Sequence, residues 1–221
     1  MSRLGPVITL AAGAILATGL GVASVATAPA ARETTAAAVA EPTVEVTSAA
    51  TPAPVKTVQK IKADYAGHVN GNGGLIAVSI RDGKAIGYFC DGKTEAWFKG
   101  TAADGAATLA GFGDAKLSAS FGGGKAKGKL SLSGKSWTFT APTVVKPSGL
   151  YRATQLIRGA QVKAGWIVLQ RPDRNGFIRV GTAYVDGKQV ETPELTPGQP
   201  VTLNGVQIQP KDVDAFIEEM Q

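Results

Sequence analysis

The chain holds one cysteine, Cys90, and one histidine, His68, in 221 residues. A lone cysteine closes no intramolecular disulfide, so the folded part must be held by its apolar core. A lone histidine rules out His-based zinc sites and the paired-histidine helix of metalloproteases. A Ser-His-Asp triad would have to draw on His68, which sits in "AGHVNGNGG", a glycine-rich approach to the first expected strand, and no Gly-x-Ser-x-Gly elbow is present. No Asp-x-Asp-x-Asp-Gly loop suggests calcium, and Asp212 and Asp214 read as the start of a helix. Glu95 could join a nearby aspartate in glycoside cleavage, but no spacing singles out such a pair. No catalytic residue, metal ligand or cofactor site is therefore expected.

Long apolar runs are also scarce, with one exception. Residues 4–31 carry no charge, and "VITLAAGAILATGLGVASV", Val7 to Val25, is long enough to cross a hydrocarbon layer of about 30 Å. With Arg3 before it and small residues at Ser24-Val25-Ala26 and Ala26-Thr27-Ala28, residues 1–28 read as a cleavable signal peptide. The length of the run and Pro29 leave a second outcome open, retention as a single-pass helical anchor in contact with the membrane. Either outcome makes the rest extracytoplasmic, secreted or anchored. Residues 29–60 contain no aromatic residue and are rich in Ala, Thr and Pro, a composition that cannot bury enough apolar surface to offset ordering entropy. This is a disordered linker that would hold a folded module away from a membrane or wall.

What remains, residues 61–221, is enough for one β-rich domain. Its periodicity is two. "LIAVSIRDGKAIGYFCDG" reads as two strands joined at Asp82-Gly83, and the same grammar runs through "TEAWFKGTA", "KLSASF", "GKLSLS", "SWTFTA", "AGWIVLQ" and "FIRVGTAYVDGKQV". About nine short strands, evenly spaced and glycine-rich, predict an antiparallel meander forming a small barrel or a two-sheet sandwich. Cys90 ends the strand "IGYFC" and reads as a small buried apolar side chain. Near the end, "VTLNGVQI" is a hairpin about Asn204-Gly205, and "PKDVDAFIEEMQ" is a short helix. Val213, Phe216, Ile217 and Met220 give that helix one apolar stripe, expected to pack on the sheet or to close a barrel end.

The stretch "GGGKAKGKLSLSGKSWTF", Gly122 to Phe139, imitates a nucleotide-binding loop, but five residues separate Gly128 from Gly134 where such a loop has four. It also runs into an alternating strand, whereas a phosphate loop opens a helix. It is a hairpin. Its lysines matter for another reason: residues 61–160 carry 13 Lys and Arg against 6 Asp and Glu, while 161–221 carry 6 against 8. Lys116, Lys125, Lys127, Lys129 and Lys135 gather in this region, with Lys125, Lys127 and Lys129 on one strand face. Outside a cell such a patch attracts anionic lipid headgroups, acidic wall polymer or an acidic envelope protein; lysines of this kind also keep edge strands apart. Nucleic acid is not expected, because no aromatic residues interleave with the lysines. Trp97, Trp137 and Trp166 could form an aromatic platform on a sheet or line a barrel mouth, or else fill the core.

"YFCDGKTEAWFKGTA", "GDAKLSASF", "GKSWTFTAP" and "PSGLYRAT", within residues 75–155, resemble recurring pieces of uncharacterised exported or membrane-anchored β-domain proteins of actinomycetes. The resemblance implies an extracytoplasmic setting in a bacterial envelope and no activity or cofactor. Together these readings give an envelope-associated binding or structural module without catalysis. Two alternatives stand behind it: a calycin-like carrier of a small apolar ligand, which needs a cavity inside a closed barrel, and a secreted hydrolase.

Overall fold

The structure, a computed structural model, describes residues 61–220. The expected export segment and linker lie outside the described residues. Eight strands come first: β1 (Lys62–Val69), β2 (Leu75–Arg81), β3 (Lys84–Cys90), β4 (Glu95–Ala103), β5 (Ala106–Ala110), β6 (Lys116–Gly122), β7 (Lys125–Leu132) and β8 (Lys135–Pro142). They pair as an antiparallel meander that closes on itself, β8 returning to β1 through Thr140 opposite His68 and Phe139 opposite Val69. The meander is thus a barrel and not a sandwich. Its two-residue turns put positive φ on both residues, as at Asp82-Gly83, Asp104-Gly105 and Ser133-Gly134, the twist that suits right-handed strands. Ser133-Gly134 is the heart of the imitation phosphate loop, and strand precedes and follows it.

The barrel interior is built from alternate residues. Ile76, Val78 and Ile80 of β2 point in, together with Phe89, Phe98, Leu109, Leu117, Leu130 and Phe139, all buried in one cluster. Yet Leu75 and Ala77, on the other face of β2, are buried too. A second layer explains this. Strands β9 (Gly149–Ile157), β10 (Ala160–Gln170), β11 (Phe177–Val185), β12 (Lys188–Val190) and the short β15 (Lys211–Asp212) form a sheet in the order β12-β11-β10-β9-β15. Its Leu150, Ile167 and Leu169 pack against Ala66, Leu75, Ile86 and Tyr88 on the barrel's outer wall. Its other face, with Tyr151, Trp166 and Val168, is covered by Leu195 and by the hairpin of β13 (Val201–Leu203) and β14 (Val206–Ile208). Strand β10 is apolar on both faces because it is the middle of three layers.

Several elements differ from the sequence expectation. Fifteen strands are present among the described residues, not about nine. The approach around His68 is strand β1, whose inward positions include Ala63 and Gly67. At Gly67 a Cβ would lie 2.4 Å from the Thr140 carbonyl oxygen, so closure requires glycine there and the strand loses its apolar signature. The C-terminal helix is shorter than expected: Lys211 and Asp212 pair with β9 as strand before α1 (Val213–Phe216) begins, and a 3₁₀ turn (Glu218–Met220) ends the element. Asp212 caps α1 by accepting from the Asp214 N–H. Val213, Phe216 and Ile217 are buried between barrel and second sheet, with Met220 packed beside them.

Charge fastens this C-terminal segment to the barrel. The Arg81 side chain, 10% exposed, donates to Asp64 at 2.9 Å and to Asp214, which also accepts from Lys62 at 2.9 Å and Lys146 at 3.2 Å. Lys84 pairs with Glu218, and Lys211 with Glu219. Burial works against ionised Asp214, but the hydrogen bonds from Lys62, Arg81 and Lys146 outweigh it and hold its carboxyl well below the usual range. A depressed folded-state value contributes stability above the unfolded pKa of about 3.9 that is lost as pH falls below it. Arg81→Ala should cost about 2 kcal/mol, lowering the thermal midpoint by roughly 4–8 °C at pH 7, because it removes one of the three donors of Asp214 and leaves Asp64 without a side-chain partner. Repeating the melt below pH 4 should narrow the gap between variant and parent; an unchanged midpoint at pH 7 would show that the cluster contributes nothing.

Candidate anion-binding face

The barrel wall that the second sheet leaves uncovered is formed by β5–β8 and by the C-terminal part of β4 from Lys99 on. Strands β5–β8 carry no Asp or Glu, and apart from Gly122 and Pro142 at strand ends their outward residues are Lys, Ser, Thr and Ala in register. One row runs Lys99, Ala110, Lys116, Ser131, Ser136 across β4 to β8. The next runs Thr101, Thr108, Ser118, Lys129, Thr138, and a third brings Ser120, Lys127 and Thr140 together. Alternation places Lys125, Lys127 and Lys129 on this same outer face, about 7 Å apart along β7.

A groove of about 660 Å³ crosses the face, lined by Lys99, Lys116 and Lys129 with the hydroxyl residues Thr101, Thr108, Ser118 and Ser131. Side-chain size makes it. Strand β5 shows only Ala106, Thr108 and Ala110 outward, a low strip between the long lysines of β4 and of β6 and β7. Among the described residues Lys99, Lys116, Lys125, Lys127 and Lys129 make no ion pair, whereas Lys62, Lys84, Lys146 and Lys211 all find carboxylates on the C-terminal segment. Five carboxylates, Asp64, Asp212, Asp214, Glu218 and Glu219, are thus engaged where the C-terminal segment meets the barrel, while the five lysines of this face are unpaired.

Of the five lysines expected to act together, Lys116, Lys125, Lys127 and Lys129 share the face. Lys135 does not: it follows the β7–β8 turn at an inward-parity position and sits exposed at the barrel end. Lys99 is the member that sequence reasoning missed, since it stands alone on β4 and joins the others only through register. The three tryptophans are dispersed over three layers and form no common platform. Trp137 packs at the edge of the barrel interior, Trp97 lies between barrel and second sheet, and Trp166 is buried beneath the C-terminal hairpin, its indole N–H donating to the Pro193 carbonyl at 3.0 Å.

Among the described residues one buried side-chain polar atom, Asp64 Oδ1, lacks a hydrogen-bond partner; the groups between barrel and second sheet are taken up by the packing. The Glu95 carboxylate accepts from the Tyr88 hydroxyl at 2.8 Å and from Thr182 at 2.6 Å, joining barrel to second sheet. Burial, and then the charge of Glu95, push the Tyr88 hydroxyl well up. Trp97 packs on Tyr88 with ring centres 4.2 Å apart and planes tilted by 36°, and carries the Arg152 guanidinium 5.8 Å from its own centre. His68 is exposed on the outer face of β1. Cys90 is fully buried in the same layer, and burial pushes its thiol up. It should resist a thiol reagent in native buffer and react once denaturant is added; rapid native labelling would contradict its place in the core. Among the described residues no group of three or more His, Cys, Asp or Glu side chains could hold a metal ion, and no helix is long and apolar enough to cross a membrane.

An apolar opening of about 230 Å³ lies at the barrel end bounded by the β2–β3, β4–β5 and β6–β7 turns. Tyr65 and Phe121 stack there with ring centres 5.1 Å apart, and Ile80 and Ala102 lie beneath them. Below this shallow mouth the interior is occupied by the core side chains already named. Comparison of the chain with protein-family models, with characterised proteins and with solved structures finds no match.

Proposed function

We propose that this chain is a non-catalytic binding module of the bacterial envelope, directed outside the cytoplasm by its N-terminal segment, secreted or anchored, and attached to anionic envelope material through the β4–β8 face. The observation that carries the reading is the lysine face itself, which has no Asp or Glu on β5–β8 to neutralise it. Lysines kept only to protect edge strands have little purpose in a closed barrel, which has no edge. Their concentration on the uncovered wall supports recognition of phosphate or carboxylate groups. The actinomycete resemblance and the apolar run of residues 1–28 support the extracytoplasmic setting. A carrier of a small apolar ligand draws less support, because the barrel interior is filled and only the shallow mouth remains.

The full chain titrated with linear polyphosphate should bind at 50 mM salt and weaken steeply by 300 mM, as surface electrostatic attraction does. Neutral dextran should not bind. Absence of polyphosphate binding, or binding insensitive to salt, would contradict the proposal.

A further inference from the structure

Phe112 stands at the end of the groove and is 99% exposed. It follows Ala110 and Gly111 at the end of β5 and precedes Lys116, the first residue of β6, so the two arms that carry it also line the groove. Its turn is locked. The Gly111 N–H donates to the Ala115 carbonyl at 2.8 Å, and the Ala115 N–H to the Phe112 carbonyl at 3.2 Å. At Gly111 a Cβ would lie 2.9 Å from both the Trp97 carbonyl oxygen and the Ala115 Cβ, and Gly113 has φ +64°. The backbone is therefore fixed by neighbours on both sides, while the phenyl ring it presents touches nothing.

An aromatic ring held rigidly in solvent, beside a row of hydroxyls and lysines, matches one chemistry in all three of its parts. A sugar ring offers an apolar C–H face to stack on an aromatic, hydroxyls to exchange hydrogen bonds with Ser and Thr, and, when acidic, a carboxylate or phosphate for Lys. We infer that the groove takes an acidic glycan, with Phe112 stacking on a sugar ring at its end and Lys99, Lys116 and Lys129 pairing with the acid groups. This rests on the anion-binding reading above and names its ligand class. A bilayer fits less well. Phe112 would have to enter it tip first, while the lysine groove on the side wall stayed out of reach.

The test compares three probes on the full chain: polygalacturonate, poly-glutamate as a sugar-free polycarboxylate, and vesicles of phosphatidylglycerol and phosphatidylcholine. Phe112→Ala, at a position with no packing to lose, should weaken polygalacturonate binding about tenfold and leave poly-glutamate within about twofold. Phe112→Trp should retain the polygalacturonate affinity. The glycan assignment is overturned if Phe112→Ala changes neither polymer or both alike, or if vesicles are bound more tightly than polygalacturonate. In those cases continued, salt-sensitive poly-glutamate binding leaves the anion-binding reading standing, whereas loss of binding to every anionic probe in the parent chain removes both.

Discussion

Replacing Lys99, Lys116 and Lys129 together with glutamine should lower the affinity for polyphosphate about 100-fold at low salt, and the variant's residual affinity, left to Lys125 and Lys127, should fall less steeply than the parent's as salt is raised. The magnitude follows from about 1 kcal/mol for each lysine held near an anionic surface, and from 1.4 kcal/mol per factor of ten. All three side chains project from the barrel wall without ion-pair partners, so their removal leaves the fold intact and the melting temperature close to that of the parent. A triple variant of Lys62, Lys84 and Lys211 is the informative contrast. Those lysines already face Asp214, Glu218 and Glu219, and their loss should affect stability more than polyphosphate binding. Equal loss of binding in the two variants would mean that only net charge matters and that the face has no special role.

A second large effect is expected from one methyl group. At Gly128, on β7, an added Cβ would lie 2.1 Å from the Ser118 carbonyl oxygen of β6 and 2.6 Å from the Phe139 ring of β8. Neither can give way cheaply: the oxygen belongs to the backbone of the neighbouring strand, and the ring is buried in the barrel. Gly128→Ala should therefore cost about 3 kcal/mol or more, lowering the thermal midpoint by roughly 6–12 °C. Gly122→Ala, where a Cβ meets nothing within 4 Å, should stay within about 0.5 kcal/mol of the parent. Indistinguishable midpoints for the two would contradict the close approach of β6, β7 and β8.

Gly128 also marks what the sequence could and could not reveal. The turns were legible because pairs such as Asp82-Gly83 and Asn204-Gly205 meet a local demand for positive φ that few other residues satisfy. Strands β6 and β7 were legible through alternation, and β2 and β3, buried on both faces, through the Asp82-Gly83 turn that joins them. Strand β1 was not, since closure against β8 calls for Gly67 where a strand would ordinarily show a large apolar residue. Strand β9 was hidden because Leu150 and Tyr151, neighbours in sequence, are both buried on opposite faces, and alternation vanishes in the middle of a layered stack. Barrel and sandwich could not be told apart, for the difference is the long-range pairing of Phe139 with Val69.

The site follows the same division. Lys125, Lys127 and Lys129 were visible as a face because their spacing is local. Lys99 became a member only through a register running across β4, β5 and β6, and Lys135 ceased to be one when the hairpin turn reversed its parity. The tryptophans looked like a platform because sequence reports the residue type and its strand, whereas the layer each one enters depends on which sheet covers that strand. Phe112 has no local signal of its own, a single apolar residue between Gly111 and Gly113. Only its turn geometry and its exposure set it apart.

The most direct test of the central claim is a map of backbone amide shifts as the full chain is titrated with polyphosphate at low salt. The account expects the largest shifts on Lys99, Thr101, Thr108, Lys116, Ser118, Lys129 and Ser131, with β9–β12 and the mouth around Tyr65 and Phe121 unchanged. Shifts centred on that mouth or on the second sheet, or none at all, would contradict it.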